Sequence, residues 1–114
     1  MKLQKRAARV GFDWPSYQNV LDTLIEEAQE LTEAVALGNS SDIEEEYGDL
    51  LFAFVNLGRH LNIEPEVALK RTNNKFKERF EFIEIELARN GKHPREASLD
   101  EMDGLWEKAK KSIK

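Results

Sequence analysis

At 114 residues and 13.2 kDa the chain has room for one domain with a single modest core. Its 17 lysines and arginines against 22 acids give a formal charge of -5 and a pI near 5.1. This balance excludes a general binder of nucleic-acid backbones and means that an anionic ligand would need cations to mediate. With no cysteine, disulfides, thiolate zinc and thiol catalysis are excluded as well.

Residues 1–15 read as an N-terminal basic arm or linker ahead of a domain over 16–114. Met1-Lys2-Leu3-Gln4-Lys5-Arg6 leads into no apolar signal region, and no run approaches membrane-spanning length, so a soluble cytoplasmic protein with no membrane partner is expected. Trp14-Pro15-Ser16 opens a helical pattern through Val20, Leu21, Leu24, Ala28, Leu31 and Val35. Gly38-Asn39 closes it, which predicts a first helix over about 16–37. Ser41-Asp42-Ile43-Glu44 reads as a capping box for a second helix that runs to about Leu61. So short a connection makes these two helices an antiparallel hairpin.

Glu64-Pro65-Glu66 starts a third helix, with proline in the tolerated first turn and an apolar stripe of Leu69, Phe76, Phe80, Ile83 and Leu87 up to Asn90-Gly91. Residues 92–97 read as a loop. Ser98-Leu99-Asp100-Glu101 reads as a second capping box, opening a short last helix through Leu105, Trp106 and Ala109. Nothing alternates with period two for long enough to suggest a sheet, so the expected fold is an all-α, four-helix chain.

On helical wheels stepped at about 100° per residue, the acids of the hairpin separate by phase. In the first helix Glu27 falls at the border of the stripe formed by Leu24, Ala28, Leu31 and Val35, and Glu30 lies just outside on the same flank. Glu26 and Glu33 point away. In the second helix the stripe is Ile43, Leu50, Phe54, Leu57 and Leu61, and Glu46 lies within its edge with Asp49 beside it. Glu44 and Glu45 turn outward.

Each helix therefore offers one i, i+3 pair of carboxylates, and four would converge if the pairs face each other. Like charges that close raise one another's pKa, and a divalent cation is the natural compensation. Oxygen donors alone suit a hard ion, Mg2+ or Mn2+. A di-iron bundle would carry Glu-x-x-His pairs, and neither His60 nor His93 has an acid three residues before it. The bland reading is a solvated acidic face. Asn56 and His60 continue the Glu46 and Asp49 flank, and each also has an ordinary structural use, in satisfying core backbone and as a cation at a helix C-terminus.

The chain resembles the MazG-type all-α nucleoside triphosphate pyrophosphohydrolases. The segments that carry the resemblance are Gly11-Phe12-Asp13-Trp14-Pro15, Glu26-Glu27-Ala28-Gln29-Glu30, Glu46-Tyr47-Gly48-Asp49-Leu50-Leu51-Phe52-Ala53, Asn73-Asn74-Lys75-Phe76 and Leu105-Trp106. They stand in order and cover nearly the whole chain, and the match is closest to the C-terminal catalytic half of two-domain members. The other MazG-like half is absent from this sequence, so it reads as a natural short member or as an excised domain. The resemblance implies that Glu27, Glu30, Glu46 and Asp49 are the Mg2+ ligands, with Glu26 in an outer role. It also implies that Lys75 and Arg79 contact phosphate, and that Asn73 and Trp106 line the nucleotide site, where a base could stack on Trp106.

Lys75 and Arg79 share one edge of the third helix at i, i+4 spacing, which suits two cations leaning over a groove. Their plain alternative is an exposed basic pair beside Glu78 and Glu81. Leu51, Phe52 and Val55 give the second helix another apolar side, more than so small a chain buries alone, so a partner chain is expected. The family's intertwined dimeric bundles are what the resemblance implies here. The activity it implies is hydrolysis of (deoxy)nucleoside triphosphates to the monophosphate and pyrophosphate, as nucleotide-pool house-cleaning. Glu27 or another site acid would take the water's proton, and Lys75 and Arg79 would steady the pyrophosphate. No glycine-rich lysine motif is present, so a P-loop enzyme is disfavoured. The alternative from another class is a non-catalytic dimeric helical module whose acids hold a metal or a partner.

Overall fold

A computed structural model describes residues 1–112. These form five α-helices, α1 (Lys2–Arg9), α2 (Tyr17–Leu37), α3 (Ser40–His60), α4 (Pro65–Arg89) and α5 (Leu99–Ser112), with a 3-10 turn at Pro94–Glu96 between the last two. No strand occurs among the described residues, so the all-α class is observed. The chain divides into two compact units, Met1–Pro65 and Glu66–Lys114.

The first unit is built on the α2–α3 hairpin. Gly38 ends α2 at φ 76, a left-handed conformation that costs glycine little, and its N–H returns to the carbonyls of Ala34 and Val35. Asn39 follows at once as the N-cap of α3. Its Oδ1 accepts from the backbone N–H groups of Ser41 at 3.0 Å and Asp42 at 3.1 Å. The expected Ser41 capping box is therefore displaced: Asn39 serves the orphan donors first, α3 starts at Ser40, and Ser41 lies inside the opening turn.

The two helices pack against each other with Val20 and Ala34 of α2 and Ala53, Asn56 and Gly58 of α3 buried. The buried line of α3 differs from the one that periodicity suggests. Phe54 and Leu61, expected in the stripe, are half exposed, as are Leu51 and Phe52. Val35 of α2 is likewise 57% exposed.

The N-terminal basic segment contains a helix that periodicity does not reveal. Eight residues are too few to hold a helix by propensity alone, and α1 is fixed by a tertiary contact. Gln4, 6% exposed, donates from Nε2 to the carbonyl of Phe52 at 2.9 Å.

Helix α4, which forms the start of the second unit from Glu66 on, begins with Pro65, whose missing N–H falls where no intrahelical acceptor exists. Its stripe is buried at Ile83 and Leu87, while Leu69 and Phe76 stay exposed. The chain turns through Gly91 at φ 70, with Lys92 N–H returning to the Leu87 carbonyl at 2.9 Å. The expected loop over 92–97 holds the 3-10 turn, capped reciprocally by His93 and Glu96. Ser98 caps α5 by accepting from Glu101 N–H at 3.1 Å. The other half of that expected box is not made, because the Glu101 carboxylate pairs with Lys92 Nζ at 3.2 Å.

Candidate active site

The register of the hairpin decides which acids meet. Glu27 stands on α2, and Glu46 and Asp49 stand one turn apart on α3. One carboxylate oxygen of each lies within 4.8 Å of the others. Glu27 and Glu46 are half-buried and Asp49 is exposed. Glu27 Oε2 and Glu46 Oε2 are shielded from water with no hydrogen-bond partner. Glu30, exposed on α2, stays outside this tight trio yet lies near enough to act on both glutamates. Glu26, Glu44 and Glu45 are exposed, as their helical phase requires.

The electrostatics follow from that crowding. Burial is the largest influence on Glu46, followed by its hydrogen bond and repulsion with Glu30 and repulsion from Asp49 and Glu27; together they push its carboxyl up to about 7. Burial, followed by repulsion from Glu30 and Asp49, also raises Glu27. An orphaned buried oxygen on each of two carboxylates needs a counter-charge or a proton, and an all-oxygen trio provides the donor set of a hard divalent cation.

A second polar cluster lies in the same unit, and sequence reasoning missed it. Asp13 Oδ1 accepts from the Arg59 guanidinium, from His60 Nε2 at 3.0 Å and from the backbone N–H of Trp14 at 2.8 Å. Asn56, 1% exposed, presents Oδ1 to Arg59 Nε at 3.1 Å and Nη2 at 2.8 Å. Arg59 and His60 thus bind the loop before α2 to the end of α3, and Asn56 holds the Arg59 guanidinium. No spacing rule links residues 46 or 47 positions apart.

In the second unit the basic pair separates into two environments. Lys75 is exposed and lines a shallow groove of about 410 Å3 with Ala68, Arg71, Thr72, Asn74 and Glu78. Arg79 is half-buried, and its Cζ lies 5.4 Å from the centroid of the Trp106 ring. Asn73 is exposed on α4.

The sequence profile of the MazG nucleotide pyrophosphohydrolase domain matches residues 15–82, which include all the clustered acids and the basic pair. The chain is 42% identical over 109 residues to the nucleoside triphosphate pyrophosphohydrolase/pyrophosphatase MazG of Thermotoga maritima, covering 96% of this chain and 42% of that protein. It is 41% identical over 112 residues to the nucleoside triphosphate pyrophosphohydrolase of Escherichia coli K12, covering 96% of this chain and 43% of that one. The chain thus spans less than half the length of these curated relatives. A shorter match, 45% identical over 71 residues, is to the uncharacterized protein YabN of Bacillus subtilis, with 62% of this chain and 14% of that protein covered. On the profile match and these two long alignments, the chain belongs to the MazG nucleotide pyrophosphohydrolase family.

Proposed function

We propose that the chain hydrolyses (deoxy)nucleoside triphosphates to the nucleoside monophosphate and pyrophosphate, with Mg2+, or Mn2+ in its place, at the acid cluster of the hairpin. The observation that carries this reading is the meeting of Glu27, Glu46 and Asp49 within 4.8 Å with two buried oxygens lacking a donor. Those three acids would hold the ion, with Glu30 beside them. When bound, the ion supplies charge stabilisation at the phosphoryl oxygens and a more acidic water.

The remaining chemistry falls to the chain's own side chains. Glu27, or a neighbouring acid of the cluster, accepts the proton of the attacking water on a carboxylate oxygen. Lys75 and Arg79 receive the negative charge of the departing pyrophosphate, and Asn73 offers its amide to the nucleotide. No covalent intermediate is needed.

The half-exposed Leu51, Phe52 and Phe54 of α3 and the exposed Ile25 of α2 support a homodimer, because so much apolar side chain on one hairpin needs a cover. Among the described residues no helix is long and apolar enough to cross a membrane, and the cytoplasm is the proposed setting.

The test is a panel of canonical and modified ribo- and deoxyribonucleoside triphosphates, assayed with Mg2+ for pyrophosphate release. Release from at least one substrate, dependent on the divalent ion, is expected. No release from any would leave the non-catalytic metal-binding module as the better reading.

A further inference from the structure

Among the described arginines that form no ion pair, Arg79 alone is half-buried, whereas Arg6, Arg9, Arg71 and Arg95 are exposed. Arg89 pairs with Glu86 at 2.9 Å, and Arg59 pairs with Asp13. Arg79 has no ion-pair partner among the described residues, although it is half-buried, and its Nε is shielded from water with no acceptor. A guanidinium left without an acceptor in that way is costly unless an anion completes it.

What holds the side chain is aromatic. Its Cζ stands over Trp106 at 5.4 Å from the ring centroid, inside the range of a cation–π contact. Phe76, one turn before Arg79 on α4, meets the same indole at 5.4 Å with the ring planes 49° apart. Phe80 stacks on Phe76 at 6.2 Å and 5°. Phe76 and Arg79 therefore reach α5 from one face of α4, and the indole is braced by one while it carries the other.

We propose that Trp106 and Phe76 are positioning residues that aim the Arg79 guanidinium at the pyrophosphate moiety, and that the indole is not a stacking surface for the nucleobase. The proposal rests on the reading of the protein as a pyrophosphohydrolase and names how one part of that site is organised. A nucleobase would have to displace Arg79 to use the face it covers. A planar fork fixed by an aromatic face keeps its remaining N–H groups free for phosphate oxygens, which is the geometry arginine offers and lysine does not. The rotamer entropy of Arg79 is then already spent before the ligand arrives.

The test uses the full chain with Mg2+ and compares Trp106→Leu, Trp106→Phe, Arg79→Ala and the double variant Trp106→Leu/Arg79→Ala. Pyrophosphate release is measured from triphosphates carrying each of the four bases, and affinity for inorganic pyrophosphate is measured by calorimetry. Circular dichroism and thermal unfolding accompany each variant. Trp106→Leu is expected to lower kcat/KM about tenfold by the same factor for every base, and to weaken pyrophosphate to match. Trp106→Phe, which keeps an aromatic face, should recover most of both. Arg79→Ala should cost about a hundredfold, and adding Trp106→Leu to it should cost little more.

A loss confined to purines, or a Trp106→Leu effect that persists undiminished without Arg79, would overturn the proposal in favour of base stacking. Should Trp106→Leu fold poorly, Phe76→Leu takes its place with the same uniform loss expected across bases. Absence of turnover from the unaltered chain would defeat the functional reading alone. Pyrophosphate affinity, kept in Trp106→Phe and lost in Trp106→Leu, would then still carry the positioning role, and no binding at all would end it.

Discussion

Glu27 on α2 and Glu46 on α3 each keep one carboxylate oxygen, Oε2 in both, out of water and without a donor, while oxygens of the two side chains lie within 4.8 Å of each other and of Asp49. The two helices pack against each other with Val20, Ala34 and Ala53 buried, and that packing holds the acids together against their repulsion.

Removing one charge should separate the two consequences. Glu46→Gln keeps the shape of the side chain and ends its repulsion with Glu30, Asp49 and Glu27. Pyrophosphate release is expected to fall by a factor on the order of a hundred or more, whereas the cation-free protein should melt a few degrees higher. A discontinuous pyrophosphate assay and a thermal scan in chelator measure the pair. Retained activity would remove Glu46 from the site.

The same crowding predicts a dependence on pH. The Glu46 carboxyl titrates near 7 in the fold against an ordinary 4.5, and Glu27 is shifted in the same direction. Between those values the folded chain binds more protons than the unfolded one. The contribution of these groups is therefore complete below about pH 4.5 and is lost as pH rises through 7. Without divalent ion, unfolding temperature should decline across this window, steeply in the native protein and weakly in Glu46→Gln. A bound cation competes with those protons, so the thermal shift on adding Mg2+ should be small at pH 5 and large at pH 8. A shift independent of pH would count against the trio as the binding site.

Much of this was legible in the sequence because it is carried by short-range periodicity. Helical phase alone separates Glu27, Glu46 and Asp49 from Glu26, Glu44 and Glu45, and a connection of a few residues forces the hairpin that joins them. What escaped is long-range or competitive. Gln4 finds the Phe52 carbonyl across 48 positions, and Asp13 finds Arg59 across 46, and no local rule encodes either. At Gly38-Asn39-Ser40-Ser41 two residues fit the role of cap, and only the tight turn favours Asn39 over Ser41. Phe54 and Leu61 fit the apolar period of α3, yet they stay half exposed while Ala53, Asn56 and Gly58 are the residues buried.

The cap offers a direct comparison. Asn39→Ala strips two acceptor contacts from the first turn of α3 and should cost about 1 kcal/mol in urea unfolding. Ser41→Ala, within the first turn, should lie within about 0.5 kcal/mol of neutral. The reverse order would restore the Ser41 cap that the sequence pattern suggested.

Asp13 ties the segment between α1 and α2 to the end of α3, and its titration gives that tie a signature. Hydrogen bonding from Arg59 is the largest influence, with His60 and the Trp14 N–H adding to it and burial opposing, and the carboxyl falls from 3.8 to about 2. A lowered folded value means that the stabilisation is complete above about pH 3.8 and disappears as pH falls through 2. The side chain is 23% exposed and solvent screens its pairing, so the worth of the clasp at neutral pH is about 1 kcal/mol rather than the full shift. Asp13→Asn should lose that amount in urea unfolding at pH 7 and converge on the native protein as pH drops from 4 towards 2. Arg59→Lys should lose nearly as much, because a point charge cannot serve Asp13 and the Asn56 Oδ1 together in the way a guanidinium fork does. A difference between Asp13→Asn and the native protein that stays constant down to pH 2 would mean that the residue acts by packing and not by charge.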